Sequence, residues 1–245
     1  MHPAAWSEPE WAVFFDEYSK HRDFLRSDGK DDVPKVVAAA ALDRIMNVHD
    51  GIWVLQEGRM GLFSGLLVRH AFECWGIGLY LCLEGRAALA HLNDAEARSL
   101  SLLATMHPGS RWADEFSAYE GRTGRRLRFE DIATRVGAEL RRRGLPPLDP
   151  RIHYDTMYRA ESRGAVHAGM GALVRHLEAD GSELSLTGSR PDGLADDVAL
   201  TWTLLYAAHL AGFVFDEFGL PRGVVDNVLW RCIDLFEDVD DETRP

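Results

Sequence analysis

MGLFSGLLVRHAFECWGIGLYLCL, residues 60–83, is apolar on every side apart from a few polar positions. A helix of that composition is a buried one. It is long enough to cross a membrane, but Arg69, His70 and Glu73 sit at its centre, where charge is costly in lipid. The stretch therefore reads as the core helix of a water-soluble bundle. At ~100° per residue, Arg69, Glu73, Gly76 and Tyr80 fall on one stripe. A guanidinium and a carboxylate four residues apart reach each other along such a stripe. Ionised groups in a buried helix are expensive unless paired, so an Arg69–Glu73 pair here asks for a functional reason.

On the N-terminal side, Ser7-Glu8-Pro9-Glu10 has the form of a capping box with proline just inside the helix start. Trp11, Phe14, Phe15 and Tyr18 follow as an apolar face. Pro34 opens a second helix whose buried face runs through Ala38, Leu42, Ile45, Met46 and Trp53. Asp43, Asn47 and Asp50 form a polar stripe on that same helix, and its two carboxylates are a reserve acid–base pair.

On the C-terminal side, a helix through RAALAHL is followed by a shorter one that Asp94 caps and His107-Pro108-Gly109 stops. Phe129 to Arg143 reads as amphipathic, with Ile132, Val136 and Leu140 on one face. LPPLDP (145–150) is stiff and marks the best internal boundary. A long helix is expected from Tyr154 to Glu178, then a hairpin within ADGSELSLTGSRPDG (179–193). An apolar helix from Leu194 to Phe218 and an amphipathic one from Pro221 to Glu237 complete the chain. The expectation is an all-α, single-domain bundle over residues 1–245, with roughly seven to nine helices.

Composition narrows the function classes. A hydrophobic fraction of 46% supplies a substantial core. The net charge of −12 disfavours nucleic-acid and anionic-membrane partners, which are held by basic patches. The arginines at 122, 125, 126 and 128 read as a solvated loop. Cys74, Cys82 and Cys232 are odd in number and set among apolar residues, as reduced core thiols are. With no basic and apolar leader in MHPAAWSEPEW, the expected location is the cytoplasm. Arginine far outnumbers lysine, which occurs only at Lys20, Lys30 and Lys35, a bias typical of a G- and C-rich bacterial coding sequence.

The second informative stretch is IHYDTMYRAESRGAVHAGMGALVRHLE, from residue 152. Tyr154, Tyr158 and Ser162 step by four, and Arg163 and His167 make another i,i+4 pair. Phenols, a hydroxyl and an imidazole opposite Arg69 and Glu73 are the parts of an acid–base site. Arg69 would hold an anionic group, Glu73 would orient it or act as base, and Tyr158 and His167 would move protons. Tyr154, Ser162, Arg163 and Tyr80 would complete the binding wall. No zinc-ligand array, phosphate loop, nucleophile elbow or dinucleotide fingerprint occurs, so neither metal nor cofactor is expected. His49-Asp50 matches the dipeptide of metal-dependent HD phosphohydrolases at chance frequency.

LLVRHAFECWGIGLYL (66–81), followed by YDTMYRAESRGAVHAG (154–169) and ALTWTLLYAAHLAGF (199–213), resembles an uncharacterised bacterial domain family of helical proteins. That family pairs an Arg-x-x-x-Glu helix with a Tyr-x-x-x-Ser…His helix and is distantly HEPN-like. The resemblance implies an all-helical fold with Arg69, Glu73, Tyr158, Ser162 and His167 as its polar centre. Ser162 and His167 are five residues apart here, which departs from the family's spacing.

The leading expectation is a cofactor-independent acid–base enzyme of bacterial biosynthesis. Its substrate would be a small anionic molecule, transformed by elimination, isomerisation or intramolecular displacement. One alternative is a HEPN-like ribonuclease or defence toxin, for which Arg44…His49 and Arg86…His91 have the Arg-x4–6-His spacing. The other is a non-catalytic interaction module that forms a homodimer or heteromer through its C-terminal helices.

Overall fold

The structure is a computed structural model. It describes residues 4–26, 32–57, 64–106, 118–119, 121, 127–145, 148–155, 177–180, 183–186 and 196–242. The described elements are α1 (Ala4–His21), α2 (Val33–Glu57), α3 (Ser64–Glu84), α4 (Arg86–Met106), α5 (Phe129–Arg142), the single turn α6 (Pro150–His153), strands β1 (Leu177–Asp180) and β2 (Glu183–Leu186), α7 (Asp196–Glu217) and α8 (Gly223–Glu242). The protein is an all-α bundle bearing one small hairpin.

The three most apolar helices, α2, α3 and α7, pack against one another. Leu42, Ile45 and Ile52 of α2 meet Phe72, Trp75 and Leu79 of α3 and Leu204, Tyr206 and Leu210 of α7 in one continuous core. Helices α1 and α8 lean on α7, while α5 and α4 lean on α3. By length and composition α3 and the Val198–Glu217 part of α7 are each long and apolar enough to cross a membrane. In the bundle 83% of the apolar window of α7 is buried, so its apolar character serves the core.

Two helices stop by the same device. Helix α5 ends in Arg-Gly-Leu-Pro and α7 in Phe-Gly-Leu-Pro. Gly144 and Gly219 take φ of 64° and 66°, the left-handed conformation that favours glycine. The Leu145 N–H then reaches the Leu140 carbonyl at 3.0 Å, and the Leu220 N–H reaches that of Phe215 at 2.8 Å. Pro221, after the second leucine, has no N–H with which to continue α7. Both leucines pack against the core.

Several boundaries differ from the sequence reading. Helix α1 begins at Ala4, so Pro9 lies inside it and Ser7 does not start it. Phe15, expected on the apolar face, is 48% exposed, while Phe14 is fully buried. Helix α4 runs unbroken through Asn93 and Asp94, so Asp94 caps nothing. Leu177 and Glu178, expected at the end of a helix, lie in β1, which pairs antiparallel with β2 from Leu177–Leu186 to Asp180–Glu183. Leu148 of the LPPLDP segment is buried in the same core as the rest.

Candidate functional site

The ion pair predicted on α3 forms: Arg69 Nε donates to Glu73 Oε1 at 3.4 Å. It is not buried, however. The side chains are 24% and 32% exposed, and both residues carry interactions beyond this one. The reason lies in how α3 is turned. Val68, Ala71, Phe72, Trp75 and Leu79 take the core-facing positions. Arg69, His70, Glu73 and Cys74 are left along a half-covered edge. On that edge Arg44 of α2 donates to His70 Nε2 at 3.1 Å.

Tyr80 does not join Arg69 and Glu73. Gly76, midway along the stripe, is covered by the ring of Phe129 from α5. Beyond it Tyr80 enters a separate polar group. Its hydroxyl lies 2.6 Å from His91 Nδ1 and accepts from Arg135 at 3.2 Å. Arg135 also donates to Glu84 at 3.3 Å. Burial, and then the Glu84 charge, raise the pKa of Tyr80 against the opposing effect of Arg135. Gly85, at φ 54°, turns the chain back so that α4 brings His91 to α3. The sequence reading missed Glu84 and Arg135, and took His91 only as half of an Arg-x4–6-His spacing. The position of Glu84 four residues after Tyr80 was the one local signal for the group.

His49 is fully enclosed. Its Nε2 accepts from Trp53 at 3.2 Å, so Nδ1 carries the proton and donates to Thr203 at 2.7 Å. Trp11 stacks on it with centroids 3.6 Å apart. Burial pushes its pKa down to about 3. Arg44 is exposed and turned to His70, so the Arg44…His49 spacing does not converge on one point. Asp50 is exposed beside the buried His49, and no group of three metal-binding side chains occurs among the described residues. His91, the other histidine with that spacing, is held by Tyr80.

On the Asp43–Asn47–Asp50 stripe, Asp43 accepts from the Tyr18 hydroxyl at 3.2 Å and pairs with Arg22 at 3.2 Å. It thereby ties α1 to α2. Asn47 donates to the Asp43 carbonyl at 2.8 Å. Partial burial raises the pKa of Asp50.

The described part of the tyrosine–histidine segment is its entry. His153 is buried, with its ring 4.9 Å from Trp202 and 6.4 Å from Phe72. Its Nδ1 lies 3.3 Å from the Tyr206 hydroxyl, and burial lowers its pKa to about 4. Tyr154 is half-buried against Phe129, under the guanidinium of Arg151 at 5.6 Å. Tyr158, Ser162, Arg163 and His167 lie outside the described residues.

No family model, curated protein or solved structure matches this chain.

Proposed function

We propose that the chain is a bacterial, cytoplasmic, cofactor-independent acid–base enzyme acting on a small anionic molecule at the Arg69–Glu73 edge of α3. One observation carries the reading. The two charges are held together at 3.4 Å in a setting that is neither sealed nor fully wet, with 24% and 32% of their side chains exposed. A ligand can reach groups so placed, and a guanidinium is suited by its planar set of donors to a carboxylate or phosphate. A second observation agrees with it. The His153 ring lies 6.4 Å from that of Phe72, the residue before Glu73, and Tyr158, Ser162, Arg163 and His167 follow His153 in the sequence. Arg69 anchors the anion, Glu73 takes or orients a proton, and Tyr158 and His167 complete the transfer.

The test is binding first and turnover second. Inorganic phosphate and a series of short carboxylates are titrated against the full chain by thermal shift. At least one should raise Tm, and Arg69→Gln should abolish the rise without lowering the Tm of the free protein by much. Binding that survives Arg69→Gln would refute the site. For an anion that is turned over, Glu73→Gln should stop the reaction, and a chelator should leave it unchanged.

A second reading, as an interaction module, draws on apolar side chains left in water. Leu102 and Met106 of α4 are 53% and 70% exposed, and Trp230 of α8 is 48% exposed. A dimer in solution that Trp230→Glu dissolves would favour it.

A further inference from the structure

The ends of α3, α5 and α7 and the start of α8 enclose a cavity of about 280 Å³. Such a volume is close to the ~300 Å³ at which small-molecule clefts begin. Its lining includes hydrocarbon and sulfur from Leu229, Phe213, Leu145 and Cys82. His209 of α7 is also part of the lining and is only 3% exposed.

The protonation of His209 follows from its neighbour. Trp75 has only an N–H to offer, and it donates to His209 Nδ1 at 3.0 Å. Nδ1 therefore has no proton, and the neutral ring carries it on Nε2. Burial, with the charges of His153 and Arg222 added, lowers the pKa of His209 to about 3. The ring thus stays neutral in ordinary buffers. Nε2–H is a buried donor with no partner among the described residues. A buried donor left unmade is expensive, and this one belongs to a residue that lines a cavity.

The charged groups of the wall ask for nothing further. Arg222 is held by Asp216 and by Asp226, the latter at 2.9 Å. Gly212 leaves room for its guanidinium to lie across α7, since a Cβ there would meet Nη2 at 3.3 Å. Arg143 pairs with Glu139 at 2.7 Å and donates to the Leu83 carbonyl at 3.3 Å. Lys35 lies 3.6 Å from the Glu217 carboxylate. An ionic ligand would be desolvated with no unpaired counter-charge to receive it. An uncharged ligand with one acceptor oxygen would satisfy the single outstanding group and bury its apolar body.

We propose that this cavity binds a small uncharged carbonyl compound, whose oxygen accepts the His209 Nε2–H while its hydrocarbon part lies against Phe213 and Leu229. The site is separate from the Arg69–Glu73 edge and does not depend on the reading given for it.

Three probes of similar shape test the proposal on the full, ¹⁵N-labelled chain: acetophenone, ethylbenzene and benzoate. Acetophenone should bind saturably and move the His209 Nε2–H resonance. Ethylbenzene, which lacks the acceptor, should bind about tenfold more weakly, as the loss of one hydrogen bond at a buried donor implies, and benzoate should bind no better than ethylbenzene. His209→Phe should erase the difference between acetophenone and ethylbenzene. Leu145→Trp, at a half-buried position, should fill the cavity and weaken both, which keeps the test decisive where His209→Phe does not fold. Arg69→Gln should change none of this. Equal binding of acetophenone and ethylbenzene, a preference for benzoate, an unmoved His209 resonance, or undiminished binding to Leu145→Trp would overturn the assignment.

Discussion

The ring of Phe129 occupies the space that a side chain on Gly76 would need. A Cβ at residue 76 would come within 2.6 Å of the Phe129 Cζ. That contact seats α5 on α3 and divides the polar stripe of α3 in two. Arg69 and Glu73 stand on one side of it, and Tyr80, with its partners His91 and Arg135, on the other.

Gly76→Ala should therefore destabilise the protein by about 1–3 kcal/mol, the usual cost of overpacking a tight contact. Phe129 is the side chain that must give way, so Phe129→Leu should recover part of the loss. Chemical denaturation of the two single variants and the double variant measures both effects and their coupling.

The indole N–H of Trp75 donates to His209 Nδ1 at 3.0 Å. Trp75→Phe removes that donor with little change in shape and leaves a buried acceptor unmade. The expected loss is about 1–3 kcal/mol. The ¹⁵N shifts of His209 should also change, because nothing then forces the proton onto Nε2. A purely packing role for Trp75 would leave those shifts unaltered.

Among the described residues three histidines are buried in their neutral form, and the direction of the pH effect follows. Burial lowers the folded-state pKa to about 3 for His49, about 4 for His153 and about 3 for His209. The unfolded chain, with ordinary histidines near 6.5, binds more protons than the folded one below that value. The histidine contribution should be constant above about pH 7 and fall as the pH drops from 6.5 toward 4. Each histidine contributes a slope of up to about 1.4 kcal/mol per pH unit. Denaturation midpoints across that range check it, and His49→Gln should reduce the slope by one proton.

The Arg69–Glu73 pair should matter little to stability. Half-covered ion pairs four apart on a helix contribute about 0–1 kcal/mol. Arg69→Gln and Glu73→Gln should each unfold within about 1 kcal/mol of wild type while abolishing anion binding or turnover. A large loss of stability in either would make the pair a structural fastening.

Gly144→Ala and Gly219→Ala place a side chain at a φ of 64° and 66°, where glycine alone is unstrained. Each should cost about 1 kcal/mol. Because both helix ends adjoin the His209 cavity through Arg143, Leu145, Asp216 and Glu217, each should also weaken acetophenone binding.

The helices were legible because their signals are local. An apolar period along α2, α3, α5 and α7 depends on neighbours a few residues away. A hairpin was expected within residues 179–193, and the paired strands at 177–180 and 183–186 begin just before that range. Errors fell where a local signal was outvoted. Pro9 and Asp94 look like helix starts, but the helices they sit in run on through them.

The candidate site was legible only as residue types. That Arg69 and Glu73 meet follows from their spacing on one helix, and the sequence alone determined that much, together with the all-α class. Whether that edge is buried or half-wet depends on which side of α3 faces α2 and α7, a matter of packing between distant segments. The same holds for Tyr80, which α5 separates from the pair and supplies with Arg135, 55 residues away. It holds most of all for His209, whose proton is placed by Trp75 from 134 residues off. Periodicity says which residues share a face of one helix. Only the packed bundle decides what each face meets, because burial and hydrogen bonding are properties of contacts between faces.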